Sequence, residues 1–90
     1  MTRKHIIYSG NVQGVGFRWR AKKAAEMTGV TGWVRNDWNG TVTMEVQGTE
    51  QQIDQVLLAI QRGMYIRIDN MDSRTIPTDP DEKSFRTEYD

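Results

Sequence analysis

Hydrophobic residues recur at helical spacing in two stretches of the chain. Between Phe17 and Thr28 they fall at i, i+4, i+7 and i+8, which places them on one face of a predicted helix. Gly29 follows this helix, as glycine commonly does at a helix end. A second helix is predicted after Thr49, which has the spacing of a capping box with Gln52. The apolar residues of the second helix are Ile53, Val56, Leu57 and Ile60.

Strand patterns fill the intervals around these helices. Residues 5–12 and 30–37 are rich in β-favouring side chains and predict the first two strands. Residues 38–40 predict a hairpin turn, because Asn-Gly accepts the positive φ that tight hairpins require. Residues 41–47 alternate between apolar and polar side chains, which predicts a strand with one buried face. The residues of this strand expected to face outwards are Thr41, Thr43, Glu45 and Gln47.

The pattern is weaker after Gly63, which ends the second helix. Residues 65–68, followed by Met71, predict a fourth strand, and residues 78–83 predict an acidic loop. Alternation over residues 85–89 predicts a short terminal strand. The order β-α-β-β-α-β plus this strand predicts an α+β protein with the ferredoxin-like split βαβ sandwich. Two helices are then expected on one face of a largely antiparallel sheet.

Composition narrows the class of protein. Ninety residues suffice for one small domain, so residues 1–90 are expected to fold as one monomeric unit. The chain has no cysteine, which excludes disulfides and thiolate metal sites. Its one histidine, His5, has no second ligand type clustered near it, so no metal site is predicted. The sequence has neither a secretory apolar segment nor a membrane span, so a cytoplasmic protein without a membrane partner is expected.

Charge is distributed unevenly although the formal net charge is zero. Residues 1–45 hold seven Lys or Arg against three acids, whereas residues 46–90 hold five against nine. A local positive field in the first half would favour a small anionic substrate. Three further cations of this half, Arg20, Lys22 and Lys23, are interpreted as a solvated helix face.

Glycines are concentrated between the first strand and the first helix. Gly10, Gly14 and Gly16 tolerate positive φ and let the backbone approach a ligand. Backbone N–H groups at such a turn form a concave anion site, which Arg18 in the first helical turn could close. The alternative is a tight turn followed by a chance arginine. The spacing matches neither G-x-G-x-x-G nor G-x-x-x-x-G-K-[ST], so neither a dinucleotide nor a magnesium nucleotide is indicated.

Two segments together resemble the acylphosphatase family. Residues 10–18 match G-x-V-Q-G-V-G-F-R, and residues 32–42 match G-W-V-x-N-x-x-[DN]-G-x-V, both without a gap. The resemblance is strong from Ile6 to Gly48 and looser to Tyr89. Two signatures in the right order are far more specific than one glycine loop. The resemblance implies hydrolysis of the carboxyl-phosphate anhydride of small acyl phosphates to a carboxylate and inorganic phosphate. It also implies that the product, inorganic phosphate, inhibits the reaction.

The resemblance also implies roles for individual residues. In the family the arginine after the loop binds the phosphate, and the asparagine of the second signature orients the attacking water. These roles fall on Arg18 and Asn36, with no metal or cofactor, and the proton passes to the substrate phosphate because an amide is not a strong base. The alternative for Asn36 is a residue that satisfies backbone groups near the hairpin. The predicted phosphate-binding loop comprises Asn11, Val12, Gln13, Gly14, Val15, Gly16 and Phe17.

Other large side chains are predicted to have structural positions. Phe17 and Trp33 are expected in the core, and Trp38 is expected to be exposed at the turn. The chain departs from the family at Met64, where proline is frequent, and at Thr87, where an apolar strand residue is usual. Both changes lie outside the predicted site.

Two other classes of protein use similar architecture. An RNA-binding module would stack bases on strand aromatics, but the K/R-G-[FY]-[GA]-F-V-x-[FY] signature is absent and the second half is acidic. No nucleic-acid partner is therefore predicted. A non-catalytic regulatory or binding domain of acylphosphatase-like form stays open as the alternative, although a ninety-residue chain favours an independent enzyme.

Overall fold

The computed structural model describes residues 1–89 and contains a five-stranded sheet and two helices. The elements in chain order are β1 (Thr2–Asn11), α1 (Phe17–Thr28), β2 (Thr31–Asn36), β3 (Val42–Gly48), α2 (Glu50–Gln61), β4 (Arg67–Ile76) and β5 (Phe85–Glu88). The strand order is β4-β1-β3-β2-β5, antiparallel throughout except for the parallel pair of β2 and β5. This topology confirms the predicted split βαβ sandwich.

The hydrophobic core lies between the two helices and the facing side of the sheet. Both helices contribute their predicted apolar faces to one continuous cluster of buried side chains. Burying each large apolar side chain stabilises the fold by about 1.5–3 kcal/mol. The largest fully buried residues are Ile6, Tyr8, Val12, Phe17, Val34, Val42, Met44, Val46, Ile53, Val56 and Ile60.

The ends of both helices follow the sequence signals. Gly29 has a φ of +89° after α1, and its N–H donates to the carbonyl of Ala25. Thr49 caps α2: its Oγ1 accepts from the backbone N–H of Gln52, and the Gln52 side chain accepts from the Thr49 N–H. The Gln52 amide also donates to the carbonyl of Thr28 over 2.9 Å. The capping box of α2 therefore also holds the end of α1.

The fourth strand differs from the sequence prediction. It begins at Arg67 and continues to Ile76, whereas the pattern placed it at residues 65–68. Most of its side chains are exposed, so it has no apolar alternation that a sequence pattern would reveal. It lies at the sheet edge and pairs with β1, so backbone hydrogen bonds rather than side-chain burial define it.

The outer face of the sheet is more covered than predicted. Thr43 and Gln47 were expected to face solvent, but both are buried. The Gln47 amide exchanges two hydrogen bonds with the backbone of Asp79, which belongs to the acidic loop after β4. Arg3 beneath this loop binds Glu82 at 2.7 Å and Glu45 at 3.0 Å. The loop thus folds over one end of the sheet through polar contacts that hydrophobic periodicity does not encode.

The aromatic predictions were partly right. Phe17 is buried, with its ring edge-on to Tyr8 at 4.9 Å, and Trp38 is 92% exposed. The core position of Trp33 was wrong, because this side chain is only half-buried. Its ring instead lies edge-on to His5 and 5.1 Å from the Arg35 guanidinium carbon. Trp33 occupies a polar neighbourhood because it alternates with the inward-facing residues of β2.

The buried ion cluster at Arg3 predicts stability that depends on pH. Burial opposes ionisation of Glu82 and Glu45, but hydrogen bonds from Arg3 and neighbouring groups outweigh it and hold the pKa of both carboxyls below the ordinary value of 4.5. Their contribution is therefore present above pH 4.5 and is lost as the pH falls through the lowered values. Arg3→Ala should cost roughly 3 kcal/mol at pH 7 and much less at pH 3, measured by urea unfolding.

A matched control is Arg67→Ala. Arg67 pairs with Asp69 at 3.0 Å, but both side chains are mostly exposed, so the substitution should change the free energy of unfolding little at either pH. An equal cost of Arg3→Ala at pH 7 and pH 3 would show that the cluster contributes packing rather than charge pairing.

Candidate active site

A cavity of about 450 Å³ opens beside the N-terminus of α1. The topology explains which residues meet there. β1 and β2 are both antiparallel to β3, and β5 is parallel to β2, so the C-terminal ends of all three strands lie at one edge of the sheet. The loop after β1, Asn36 at the end of β2, and Thr87 and Tyr89 at the end of β5 consequently line one cavity. Its size suits a small-molecule ligand.

The loop between β1 and α1 presents unpaired backbone donors. Gly14 and Gly16 have φ values of +71° and +82°, and a Cβ at either position would meet nothing within 4 Å. Glycine is therefore required there by backbone conformation and not by close packing. Within residues 1–89, none of the N–H groups of residues 13–16 donates to another protein group. These donors lie at the positive end of the α1 dipole, which favours an anion.

Gly10 has a different role from the one the loop pattern suggested. It lies within β1 at a φ of +125°, where the pairing of β1 with β4 shifts register. A Cβ there would collide with the carbonyl of Arg67 and the backbone nitrogen of Asp69. Glycine at this position permits close approach of two strands, so only Gly14 and Gly16 serve the loop.

Two side chains of the predicted loop hold it in place. Gln13 Nε2 donates to the carbonyls of Asp37 at 2.6 Å and Thr41 at 2.8 Å, which ties the loop to the β2–β3 hairpin. Asn11 Nδ2 donates to the carbonyl of Tyr65 at 3.2 Å. Four of the seven predicted loop residues line the cavity itself: Val12, Gly14, Gly16 and Phe17.

Other residues satisfy the polar groups of the β2–β3 hairpin. Asp37 accepts from Thr41 Oγ1 at 2.8 Å, from Thr43 Oγ1 at 2.6 Å and from Arg35 Nε at 3.0 Å. Burial opposes the charge of Asp37, but these hydrogen bonds outweigh it and lower the pKa of the carboxyl. Asn39 Oδ1 accepts from the Thr41 N–H and shares the single hydroxyl proton of Thr41 with Asp37. The hairpin is therefore supported by residues on either side of Thr41.

Asn36 takes no part in that network. It is the last residue of β2 and lines the cavity, yet its amide makes no hydrogen bond with any other group within residues 1–89. Oδ1 is shielded from solvent, so the NH₂ group is the part of the amide that meets the cavity. This arrangement does not support the alternative in which Asn36 satisfies backbone groups of the hairpin.

Arg18 lies in the first turn of α1 on the same cavity. Its guanidinium carbon is 5.5 Å from the centroid of the Tyr89 ring, within the range of a cation–π contact. No carboxylate within residues 1–89 forms an ion pair with it. Within the described residues, its guanidinium therefore lies against an aromatic ring and has no carboxylate partner.

Four side chains extend the cavity along α1: Trp19, Lys22, Lys23 and Glu26. Both lysines are exposed, in agreement with the predicted solvated helix face, although none of the four was predicted to line a cavity. Their spacing of three and four residues was a usable signal, because such residues are neighbours on a helix. The interpretation of Arg20 as part of the solvated face was wrong, because Arg20 is half-buried and donates to the carbonyl of Ala59 in α2 at 3.1 Å.

Two further observations concern metal binding and membrane insertion. Within residues 1–89, no group of three or more His, Asp or Glu side chains is arranged to hold a metal ion. Neither helix in that range has the length and apolar character needed to cross a membrane.

The two loop glycines give a test of the anion site. Gly14→Val and Gly16→Val should abolish most activity while leaving the far-UV spectrum unchanged, because a β-branched residue disfavours positive φ and the surrounding space is open. Gly29→Val is the matched control, since Gly29 has a φ of +89° at the opposite end of α1. It should lose stability but keep kcat/KM. Full activity in both loop variants would mean that the loop does not bind the substrate.

Known proteins match this chain over nearly its whole length. A model of the acylphosphatase family matches residues 4–87. An acylphosphatase of Geobacillus thermodenitrificans is 42% identical over 90 residues, covering 99% of this chain and 96% of that protein. The crystal structure of acylphosphatase from Bacillus subtilis superposes with a TM-score of 0.90 at 27% identity, covering 99% and 100% of the two chains. An acylphosphatase structure from Coxiella burnetii gives a TM-score of 0.86 at 32% identity, covering 97% and 92%. None of these matches supports the non-catalytic alternative.

Proposed function

The chain belongs to the acylphosphatase family, and we propose that Arg18, Asn36 and the loop of residues 11–17 together hydrolyse an acyl phosphate. The family's reaction implies an acyl phosphate as substrate and inorganic phosphate as product. The assignment of these residues rests mainly on the hydrogen bonding of the Asn36 side chain. Within residues 1–89, its amide has no hydrogen-bond partner and Arg18 on the same cavity has no carboxylate partner, whereas the side-chain oxygens of Asp37 and Asn39 beside it accept hydrogen bonds.

The phosphoryl group binds at the loop and Arg18. The unpaired N–H groups of residues 13–16 donate to its oxygens, and the guanidinium of Arg18 supplies two parallel donors and a positive charge. Phosphoryl transfer depends mainly on positioning and on neutralising charge at the equatorial oxygens. Both requirements are met by groups that the fold holds in place before the substrate arrives.

Asn36 positions the attacking water. Its Nδ2 donates to the water oxygen and places it for attack on the phosphorus atom, with the water protons facing the phosphate oxygens. Gln13 supports this geometry, because it links the loop that binds the phosphate to Asp37, the residue directly after Asn36. Nucleophile and electrophile are therefore held by two segments that are joined by a direct hydrogen bond.

The proton of the water passes to the phosphate itself. As the bond from water oxygen to phosphorus forms, the bond from phosphorus to the carboxyl oxygen breaks and a carboxylate leaves. A carboxylate is a weak base, so the leaving group needs no general acid. Among the described residues, Glu26 is the one carboxylate that lines the cavity. It lies eight residues beyond Arg18, about 12 Å along the helix axis, and is therefore not assigned as the base.

Hydrolysis of benzoyl phosphate in the presence of EDTA tests this proposal. The wild-type protein should turn over the substrate with EDTA present, and inorganic phosphate should inhibit competitively. Hydrolysis no faster than in buffer alone would refute the proposal. Activity that disappears with EDTA and returns with a divalent metal would refute the metal-free mechanism alone.

A further inference from the structure

The edge strand β4 leaves one side of the sheet open. It pairs with β1 on one side and with no strand of residues 1–89 on the other. Residues 69–75 of this strand are all exposed. An exposed edge of this kind presents a row of unpaired backbone N–H and C=O groups, which another strand can bind. The regular part of the edge is residues 70–76, because the pairing with β1 shifts register between Ser9 and Gly10.

The regular part of β4 can pair with the same strand of a second copy. Successive side chains of a strand alternate between the two faces of the sheet. In an antiparallel pair related by two-fold symmetry, a residue therefore lies opposite a residue an even number of positions away. One such register, centred on Ser73, uses every residue of the segment 70–76. Its pairs are Ser73 with Ser73, Asp72 with Arg74, Met71 with Thr75, and Asn70 with Ile76.

The charges of β4 favour this register. Asp72 and Arg74 lie opposite Ile7 and His5 of β1, and the four side chains line one shallow pocket on the face of the sheet away from the helices. Neither Asp72 nor Arg74 forms an ion pair within residues 1–89. In the register centred on Ser73, Asp72 of each copy lies opposite Arg74 of the other. The symmetry thus gives two opposite-charge pairs across the strands, which stabilise a sheet.

The same two residues oppose the neighbouring registers. A pair centred on Asp72 would place two carboxylates directly opposite each other, and a pair centred on Arg74 would do the same with two guanidinium groups. Like charges directly opposite are destabilising. Charges on an edge strand commonly prevent uncontrolled association. On β4 they disfavour slippage and favour one closed, symmetric pair.

We propose that β4 binds β4 of a second copy in this antiparallel register and joins the two five-stranded sheets into one. A single strand pair is smaller than a standard interface of about 1,600 Å², so the dimer is weak and sensitive to salt. The expectation of a monomer rested on chain length, which does not report on an unpaired edge. The dimer is independent of the proposed function, because no residue of β4 lines the active-site cavity.

Two charge reversals test the register by sedimentation equilibrium. Wild type should dimerise reversibly at low ionic strength, and less at about 1 M salt, where the Debye length is about 3 Å. Asp72→Arg and Arg74→Asp each replace both opposite-charge pairs by like-charge pairs. Each variant alone should raise the Kd of the dimer at least about tenfold. An equimolar mixture of the two should associate like wild type, because each variant supplies the charges that the other lacks.

The matched control for these reversals is Arg67→Asp. Arg67 is exposed on the same strand but lies outside residues 70–76, so its reversal should leave the Kd near the wild-type value. Restored association in the mixture also shows that both reversed variants are folded.

A single introduced cysteine tests the symmetry axis, since the chain has no cysteine of its own. Ser73→Cys should form a disulfide-linked dimer on mild oxidation, because directly opposite Cβ atoms lie about 4.5–5.5 Å apart, close to disulfide distance. Thr75→Cys is the control. It lies opposite Met71, and the two introduced thiols would be separated by four residues, about 14 Å along the strands.

Three results would overturn the proposed dimer. One is a wild-type protein that stays monomeric at about 1 mM, the range in which a weak complex forms. Another is a mixture of the two reversed variants that associates no better than either variant alone. The third is equal cross-linking of Ser73→Cys and Thr75→Cys, which would show random collision and not a fixed register.

Discussion

Asn36→Ala is expected to lower kcat by about two to four orders of magnitude, while KM and inhibition by inorganic phosphate stay near wild-type values. The reason is that Asn36 contacts the water and not the phosphate. An interaction made with the nucleophile stabilises the transition state with little effect on substrate binding, so its loss appears in kcat. Because the amide makes no hydrogen bond within residues 1–89, its removal should also leave the fold intact. Steady-state kinetics and a thermal melt measure both effects.

Asn36→Asp separates water positioning from general-base catalysis. A carboxylate has no N–H donor and would lie beside an anionic substrate, so this variant should be nearly as inactive as alanine. An active Asn36→Asp enzyme would indicate a general base and would refute proton transfer to the substrate phosphate. Asn39→Ala is the matched control in the same hairpin. The Asn39 side chain is exposed and accepts a hydrogen bond from Thr41. Its removal should therefore reduce stability slightly and leave kcat largely intact.

Arg18→Ala is expected to lower kcat/KM by at least about two orders of magnitude and to weaken inhibition by inorganic phosphate. Arg18 is assigned to the phosphoryl group in both the bound substrate and the transition state, so KM and kcat should both change. Arg18→Lys should restore little activity, because an ammonium group cannot reproduce two parallel hydrogen bonds. The readouts are kcat/KM and the inhibition constant for phosphate.

Arg20→Ala is the control for losing a cation from the first turns of α1. Arg20 donates to the carbonyl of Ala59 and does not line the cavity, so this variant should lose some stability but keep phosphate inhibition. If a folded Arg18→Ala protein bound phosphate as tightly as wild type, the assignment of Arg18 to the phosphoryl group would be wrong.

Local patterns in the sequence were sufficient to predict the architecture. The predicted bounds of α1 agree with the structure, and the capping box at Thr49 forms with both hydrogen bonds. β3 begins and ends one residue later than predicted. These elements bury one apolar face each, so a helical or alternating period records which side chains point inwards.

Elements stabilised by distant polar contacts could not be predicted in the same way. β4 is an exposed edge strand that depends on backbone pairing with β1. The burial of Gln47 depends on a loop more than thirty residues away, and that of Arg3 on Glu82. Trp33 was placed in the core on hydrophobicity alone, whereas its position in β2 turns it to the opposite face of the sheet.

The site was predicted in its parts but not in its connections. The resemblance pointed to Arg18 and Asn36, and the fold brings both to one cavity. The hydrogen bonds of Gln13 to the hairpin carbonyls were not foreseen, because they join segments that are adjacent only after folding. Gly10 was grouped with the loop glycines, although its close contact is with β4.

Hydrolysis in ¹⁸O-labelled water tests the central claim most directly. The claim is that the loop and Arg18 hold the phosphoryl group while Asn36 delivers a water to the phosphorus atom. A single turnover of benzoyl phosphate in labelled water, analysed by mass spectrometry, should place the label in inorganic phosphate and leave the benzoate unlabelled. Label in the benzoate would show attack at the carbonyl carbon and would contradict the mechanism.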